Sequence, residues 1–132
     1  MGTPTVLIID DDRLTRWSVS RILERAGYQV REAISFAEGA ASTKEQRPDL
    51  VLLDIMLPDG DGFALLRSIQ ASQPDLPVIM MTAHPSQETA QEAKTLGARG
   101  HLAKPCDPEK LLALVVEALG TRLSPKSGNT KA

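Results

Sequence analysis

Short apolar runs alternate with segments of helical period five times along the chain. Residues 5–9 form the first run, apolar on both faces, which predicts a strand covered on both sides. Residues 14–26 follow with Leu14, Trp17, Ile22 and Leu23 at near-helical spacing, and Gly27 is placed to stop a helix there. Residues 28–33 predict a short strand, less apolar than the first and suited to a sheet edge. Ser35, with Glu38 three residues on, has the pattern of a capping box opening a helix to about Gln46. Pro48 ends that segment, and residues 49–53 make a third strand.

The alternation continues in the second half. Residues 61–72 carry Phe63, Leu65, Leu66 and Ile69 on one side of a predicted helix. Pro74 and Pro77 bracket the turn into a fourth strand, 78–81. Residues 86–96 predict a polar helix with a thin apolar stripe ending at Gly97, and 99–103 a weak fifth strand. Asp107-Pro108 reads as a cap and first-turn proline for a last helix with Leu111, Leu112, Val115, Val116 and Leu119 inward. From Ser124 the chain is polar and aperiodic, so residues 121–132 read as a tail or the start of a linker.

Strands alternating with helices imply βαβ units and a parallel sheet. Five of each predict an α/β, doubly wound, three-layer domain with its ligand crevice at the carboxyl ends of the strands. The chemistry lies at those ends. Val6-Leu7-Ile8-Ile9 runs into Asp10-Asp11-Asp12, and Leu50-Val51-Leu52-Leu53 ends in Asp54 before Met56-Leu57-Pro58-Asp59-Gly60. The fourth and fifth runs end in Thr82 and Lys104. Acids, a hydroxyl and an amine converging in one crevice suit a divalent cation and a phosphoryl group.

Bulk properties narrow the class. A length of 132 residues suits one domain with a single core. Net charge is −2 with both signs interspersed, which gives no basic surface for nucleic acid and no membrane-binding face. No apolar run reaches membrane-spanning length, and the lone Cys106 excludes an internal disulfide and fits a reducing, cytoplasmic compartment.

The motifs Ile8-Ile9-Asp10-Asp11-Asp12, Asp54-Ile55-Met56-Leu57-Pro58-Asp59-Gly60-Asp61-Gly62, Met81-Thr82-Ala83 and Lys104-Pro105 stand in the order and separation of a known family. Over residues 5–120 the chain resembles the receiver domain of two-component response regulators. Arg16-Trp17 and Met80-Met81-Thr82-Ala83-His84 make it most similar to receivers of sigma-54-dependent activators. The resemblance implies a flavodoxin-like fold with strand order 2-1-3-4-5 and a phosphorylation-controlled regulatory module, not an enzyme with turnover. Its partner would be a sensor histidine kinase, and its output, through a further domain or partner, transcriptional.

By the same resemblance Asp54 is the phosphoacceptor. Asp11, Asp54 and the backbone carbonyl of Met56 would bind Mg²⁺ directly, with Asp10 acting through a water. Lys104 would bind a phosphoryl oxygen, and its bond to Pro105 would be cis, aiming the lysine inward. Thr82 would move toward the phosphoryl group. Met56 and His84, two past the acceptor and two past the threonine, would flank the path of hydrolytic water. Leu14, Trp17, Ser18 and Arg21, with Pro105, Cys106 and Asp107, would meet the kinase, and the fourth-helix face would mediate dimerisation on phosphorylation.

Each residue also has a plainer reading. Asp54 could be a turn residue, but four other strand-end groups converge with it. Adjacent Asp10 and Asp11 repel without a cation. Asp12 precedes a helix and reads as an N-cap rather than a ligand. Thr82 suits a strand as a β-branched residue, Lys104 could be a solvated rim lysine, His84 a loop residue, Trp17 core packing and Cys106 an inert thiol. His101 stands where the family places Tyr or Phe, so it reads equally as a half-exposed strand residue or a switch. A haloacid-dehalogenase-like phosphatase would combine similar groups, but needs an acid two residues after its nucleophile, where Met56 follows Asp54; Asp10-x-Asp12 has that spacing, but the chain has no room for a substrate-gripping cap. A flavodoxin would need a Ser/Thr-rich loop after the first strand.

Overall fold

A computed structural model describes residues 2–120; the predicted tail, 121–132, lies outside them. Five strands, β1 (Thr5–Ile9), β2 (Gln29–Ala33), β3 (Leu50–Asp54), β4 (Val78–Thr82) and β5 (Gly100–Ala103), form one parallel sheet in the order β2-β1-β3-β4-β5. The helices are α1 (Arg13–Arg25), α2 (Phe36–Glu45), α3 (Gly62–Ser72), α4 (Gln87–Thr95) and α5 (Pro108–Leu119). This is the predicted order, with β2 and β5 at the edges. A small antiparallel hairpin, Met56–Leu57 with Gly60–Asp61, forms where the sequence predicts only a turn.

Side chains alternate across a strand, so the apolar runs feed two cores. Leu7, Ile9, Val51, Leu53, Val78 and Met80 share one face with Phe63, Leu66 and Ile69 of α3 and Ala93 of α4. Val6, Ile8, Leu50, Leu52, Ile79 and Met81 share the other with Val19 and Leu23 of α1 and Leu111, Val115 and Leu119 of α5. Burial on both faces, roughly 1.5–3 kcal/mol for each large aliphatic side chain, leaves the strand register little freedom. The strand ends are thereby placed before any polar contact is counted.

Some helix faces differ from the predicted stripes. Leu14 and Trp17 point outward, 69% and 58% exposed, and Val116 is also exposed. On α1 the buried row is Val19, Ser20 and Leu23: it begins a turn later than the apolar residues in the sequence do. Ser35 caps α2 by accepting the Glu38 N–H, but the Glu38 carboxylate returns to the Ile34 N–H rather than to that of Ser35. The reciprocal box lies instead at Ser86 and Thr89, opening α4. Asp107 accepts the Lys110 N–H with Pro108 in the first turn of α5. Asp12 occupies the N-cap position of α1 but makes no side-chain cap to the backbone; its carboxylate receives the Thr15 hydroxyl.

Candidate functional site

The backbone ladder continues one residue past several strands and fixes the groups at their ends. The Asp10 N–H donates to the Ala33 carbonyl at 3.0 Å, the Ile55 N–H to Met81 at 3.0 Å, and the Lys104 N–H to Thr82 at 2.8 Å. Asp10, Asp54 and Thr82 are all buried, while Asp11 is exposed. The Lys104–Pro105 bond is cis.

One ammonium joins the two buried acids. Lys104 Nζ lies 3.0 Å from Asp54 Oδ2 and 2.7 Å from Asp10 Oδ2. The Asp10 Oδ2 contact is an ion pair without well-directed hydrogen-bond geometry, so that buried oxygen keeps an unspent lone pair. Asp10 Oδ1 accepts the Asp12 N–H at 2.8 Å, and Asp54 Oδ1 accepts the Met56 N–H at 3.2 Å. Carboxylate oxygens of Asp10, Asp11 and Asp54 all lie within 4.8 Å of one another.

The electrostatics are those of an acid pocket short of positive charge. Burial, joined by repulsion from Asp54, raises the Asp10 pKa against the opposing pull of Lys104 and the Asp12 N–H. Burial alone would lower the Lys104 pKa, but its contacts with Asp10 and Asp54 together outweigh it and leave the ammonium favoured. Three carboxylates cluster here, and a single ammonium contacts two of them. Oxygen donors in a partly open pocket, one buried oxygen lacking a directed partner, fit a hard divalent cation such as Mg²⁺.

The remaining predicted residues surround this pocket. Thr82 Oγ1 accepts the His84 N–H at 3.0 Å, leaving the hydroxyl proton free to donate, while the His84 side chain is exposed. Met56 is 66% exposed at the pocket's lip. His101 is half-buried, its Nε2 3.3 Å from Thr89 Oγ1 of α4, and burial lowers its pKa. On α1, the Arg21 guanidinium lies 5.1 Å over the exposed Trp17 ring. Cys106 packs against the α5-side core with Sγ 4.0 Å from Met81 Sδ, and burial raises its thiol pKa.

Four supporting residues have no role of their own in the sequence pattern. Gly62 approaches β3 so closely that a Cβ there would clash with the Asp54 carbonyl oxygen. Asp59 caps α2 from across the hairpin, accepting the Phe36 and Ala37 N–H groups, which lower its pKa. Thr89 meets His101, and Arg16 meets Asp10. Asp59 and Gly62 lie within the motif that follows Asp54, the one cue that could have drawn attention to them.

The response regulator receiver domain matches residues 6–116. This chain belongs to that family. It is 40% identical over 114 residues to the DNA-binding transcriptional regulator NtrC of Escherichia coli K12, covering 86% of this chain and 24% of that protein. It is 35% identical to the acid tolerance regulatory protein ActR of Rhizobium meliloti, covering 92% of this chain and 62% of ActR. The chain thus spans from about a quarter to under two thirds of the length of these relatives. Among solved structures, a CheY-like receiver from Methanospirillum hungatei superposes with a TM-score of 0.84 at 35% identity, covering 89% of this chain and 94% of that one. The receiver domain of NtrX from Brucella abortus gives 0.82 at 35% identity, covering 86% and 97%. The receiver fold and its strand order follow the expectation from sequence. Among the described residues no helix is long and apolar enough to cross a membrane.

Proposed function

We propose that this receiver takes a phosphoryl group from a phosphohistidine of a sensor kinase onto Asp54. The observation that carries the reading is the contact of Lys104 with the buried Asp54 and Asp10, beside the exposed Asp11. A carboxylate oxygen of Asp54 attacks phosphorus; the O–P bond forms, the P–N bond breaks, and the imidazole leaves as the neutral ring after taking a proton from solvent. Lys104 meets a phosphoryl oxygen as a point charge. Asp11, Asp54 and the Met56 carbonyl would hold Mg²⁺, with Asp10 acting through a water. Bound there, the cation supplies positive charge against the charge of the transferring group.

Thr82 then donates its hydroxyl to the phosphoryl group, and the movement is read by a partner or by a further domain. Likeness to the DNA-binding transcriptional regulator NtrC supports a transcriptional output, which we place in the cytoplasm and read as of the sigma-54-dependent kind. The domain itself, about residues 5–120, contacts no nucleic acid in this reading and catalyses only its own transfer and slow hydrolysis. Leu14, Trp17, Ser18, Arg21 and the loop at Cys106 meet the kinase. The outward turn of Leu14 and Trp17 supports that role over core packing. Phosphorylated domains pair through the α4 face.

Radiolabelled acetyl phosphate with Mg²⁺ tests the reading. One equivalent of stable label is expected, whereas rapid multiple turnover with little retained label would mean a phosphatase.

A further inference from the structure

Arg16 takes no part in the roles assigned above, yet it touches the acid pocket. Its Nη1–H donates to the backbone carbonyl of Asp10 at 2.9 Å, and its Nε–H to the Glu32 carboxylate on β2 at 2.9 Å. The Arg16 side chain is 15% exposed and that of Glu32 42%, so the pair sits at the pocket's outer wall. Together with the Asp10 N–H to Ala33, these bonds tie both sides of the Asp10 residue to the edge strand.

We propose that Arg16 is a positioning residue for the metal-binding acids, working through the Asp10 carbonyl with Glu32 as its counter-charge. The inference rests on the Mg²⁺ reading above. Asp10 and Asp11 are adjacent, so the peptide between them sets how both carboxylates are aimed, and Arg16 grips the carbonyl of that peptide. Like charges side by side on Asp10 and Asp11 oppose this arrangement, and the Asp12 N–H to Asp10 Oδ1 bond steadies only the Asp10 side chain. A guanidinium reaches two acceptors in a fixed fork, which a lysine ammonium on a flexible stem does not reproduce. Glu32 neutralises the guanidinium on the side away from the acids. The fork therefore holds the turn without adding a second free cation to compete for Asp10 and Asp11.

Arg31 provides the control. It forms a similar fork, Nη1 to the Gln46 carbonyl and Nη2 to Ser42, tying β2 to the end of α2 rather than to the acids. The experiment measures Mg²⁺ affinity of the unphosphorylated protein by amide shifts in two-dimensional NMR for wild type, Arg16→Lys and Arg31→Lys, with denaturant midpoints alongside. Arg16→Lys is expected to weaken Mg²⁺ binding about tenfold, the scale on which outer-shell partners act, and to speed hydrogen exchange at the Asp12 amide. Arg31→Lys is expected to leave both unchanged even where it lowers the midpoint. Equal effects of the two substitutions, or Mg²⁺ binding within twofold of wild type in folded Arg16→Lys, would overturn the positioning role and leave the metal reading standing. A wild type that binds no Mg²⁺ would overturn both.

Discussion

Lys104 Nζ stands 3.0 Å from Asp54 Oδ2, although fifty residues separate the two in the chain. The contact places a positive charge where the transferring phosphoryl group would arrive. Lys104→Met is therefore predicted to slow labelling by acetyl phosphate on the order of a hundredfold, the scale of losing one transition-state donor, while Mg²⁺ still binds. Initial labelling rates at saturating Mg²⁺ check this; an unchanged rate would remove Lys104 from the transfer.

Asp10 gives a pH dependence with a definite sign. Burial raises its folded pKa above the ordinary 3.8, so the folded state holds a proton that the unfolded chain has released. Stability from this group falls as pH rises from about 3.8 through the raised value. In metal-free protein, Asp10→Asn is predicted to gain stability relative to wild type across that window, and Mg²⁺ to stabilise wild type far more than the variant. Urea midpoints from pH 3 to 8, with and without Mg²⁺, measure it. A variant equally responsive to Mg²⁺ would place the cation elsewhere.

Gly62 tests how tightly the acceptor is held. An added Cβ would meet backbone, the Asp54 carbonyl and Ile55, rather than the end of a flexible side chain. Gly62→Ala is predicted to cost about 1–3 kcal/mol as overpacking and to slow labelling by shifting Asp54. Full stability would show that the hairpin yields easily.

The strands and the groups at their ends were legible because each depends on a strong local signal, whereas the strand order came only with the family resemblance. Uninterrupted apolar runs such as 50–53 require burial on both faces, and burial fixes where Asp54 and Asp10 end. The faces of α1 and α5 were less legible. Leu14, Trp17 and Val116 continue an apolar pattern, but each lies beyond the edge of the helix's contact with the sheet. Polar supports were invisible for a different reason. The contacts Arg16–Glu32, Asp59–Phe36 and Thr89–His101 span between 12 and 23 residues, and a hydrogen bond between such elements leaves no periodicity behind.

The lifetime of the acyl phosphate should be governed at the lip rather than at the edge strand. Met56 is exposed beside Asp54, apolar and unable to orient a water, whereas His101 is occupied with Thr89. Met56→Glu is predicted to change the rate of self-dephosphorylation more than His101→Tyr does. His101→Tyr should instead alter phosphorylation-dependent association through the α4 face, seen by sedimentation. Decay altered by His101→Tyr and not by Met56→Glu would reverse the assignment.

The central claim is that Asp54 accepts the phosphoryl group with a divalent cation present. Intact-protein mass measurement after incubation with acetyl phosphate and Mg²⁺ tests it most directly. One phosphoryl adduct is predicted on the wild type, lost on chelation and absent from folded Asp54→Ala; a full adduct on Asp54→Ala would contradict it.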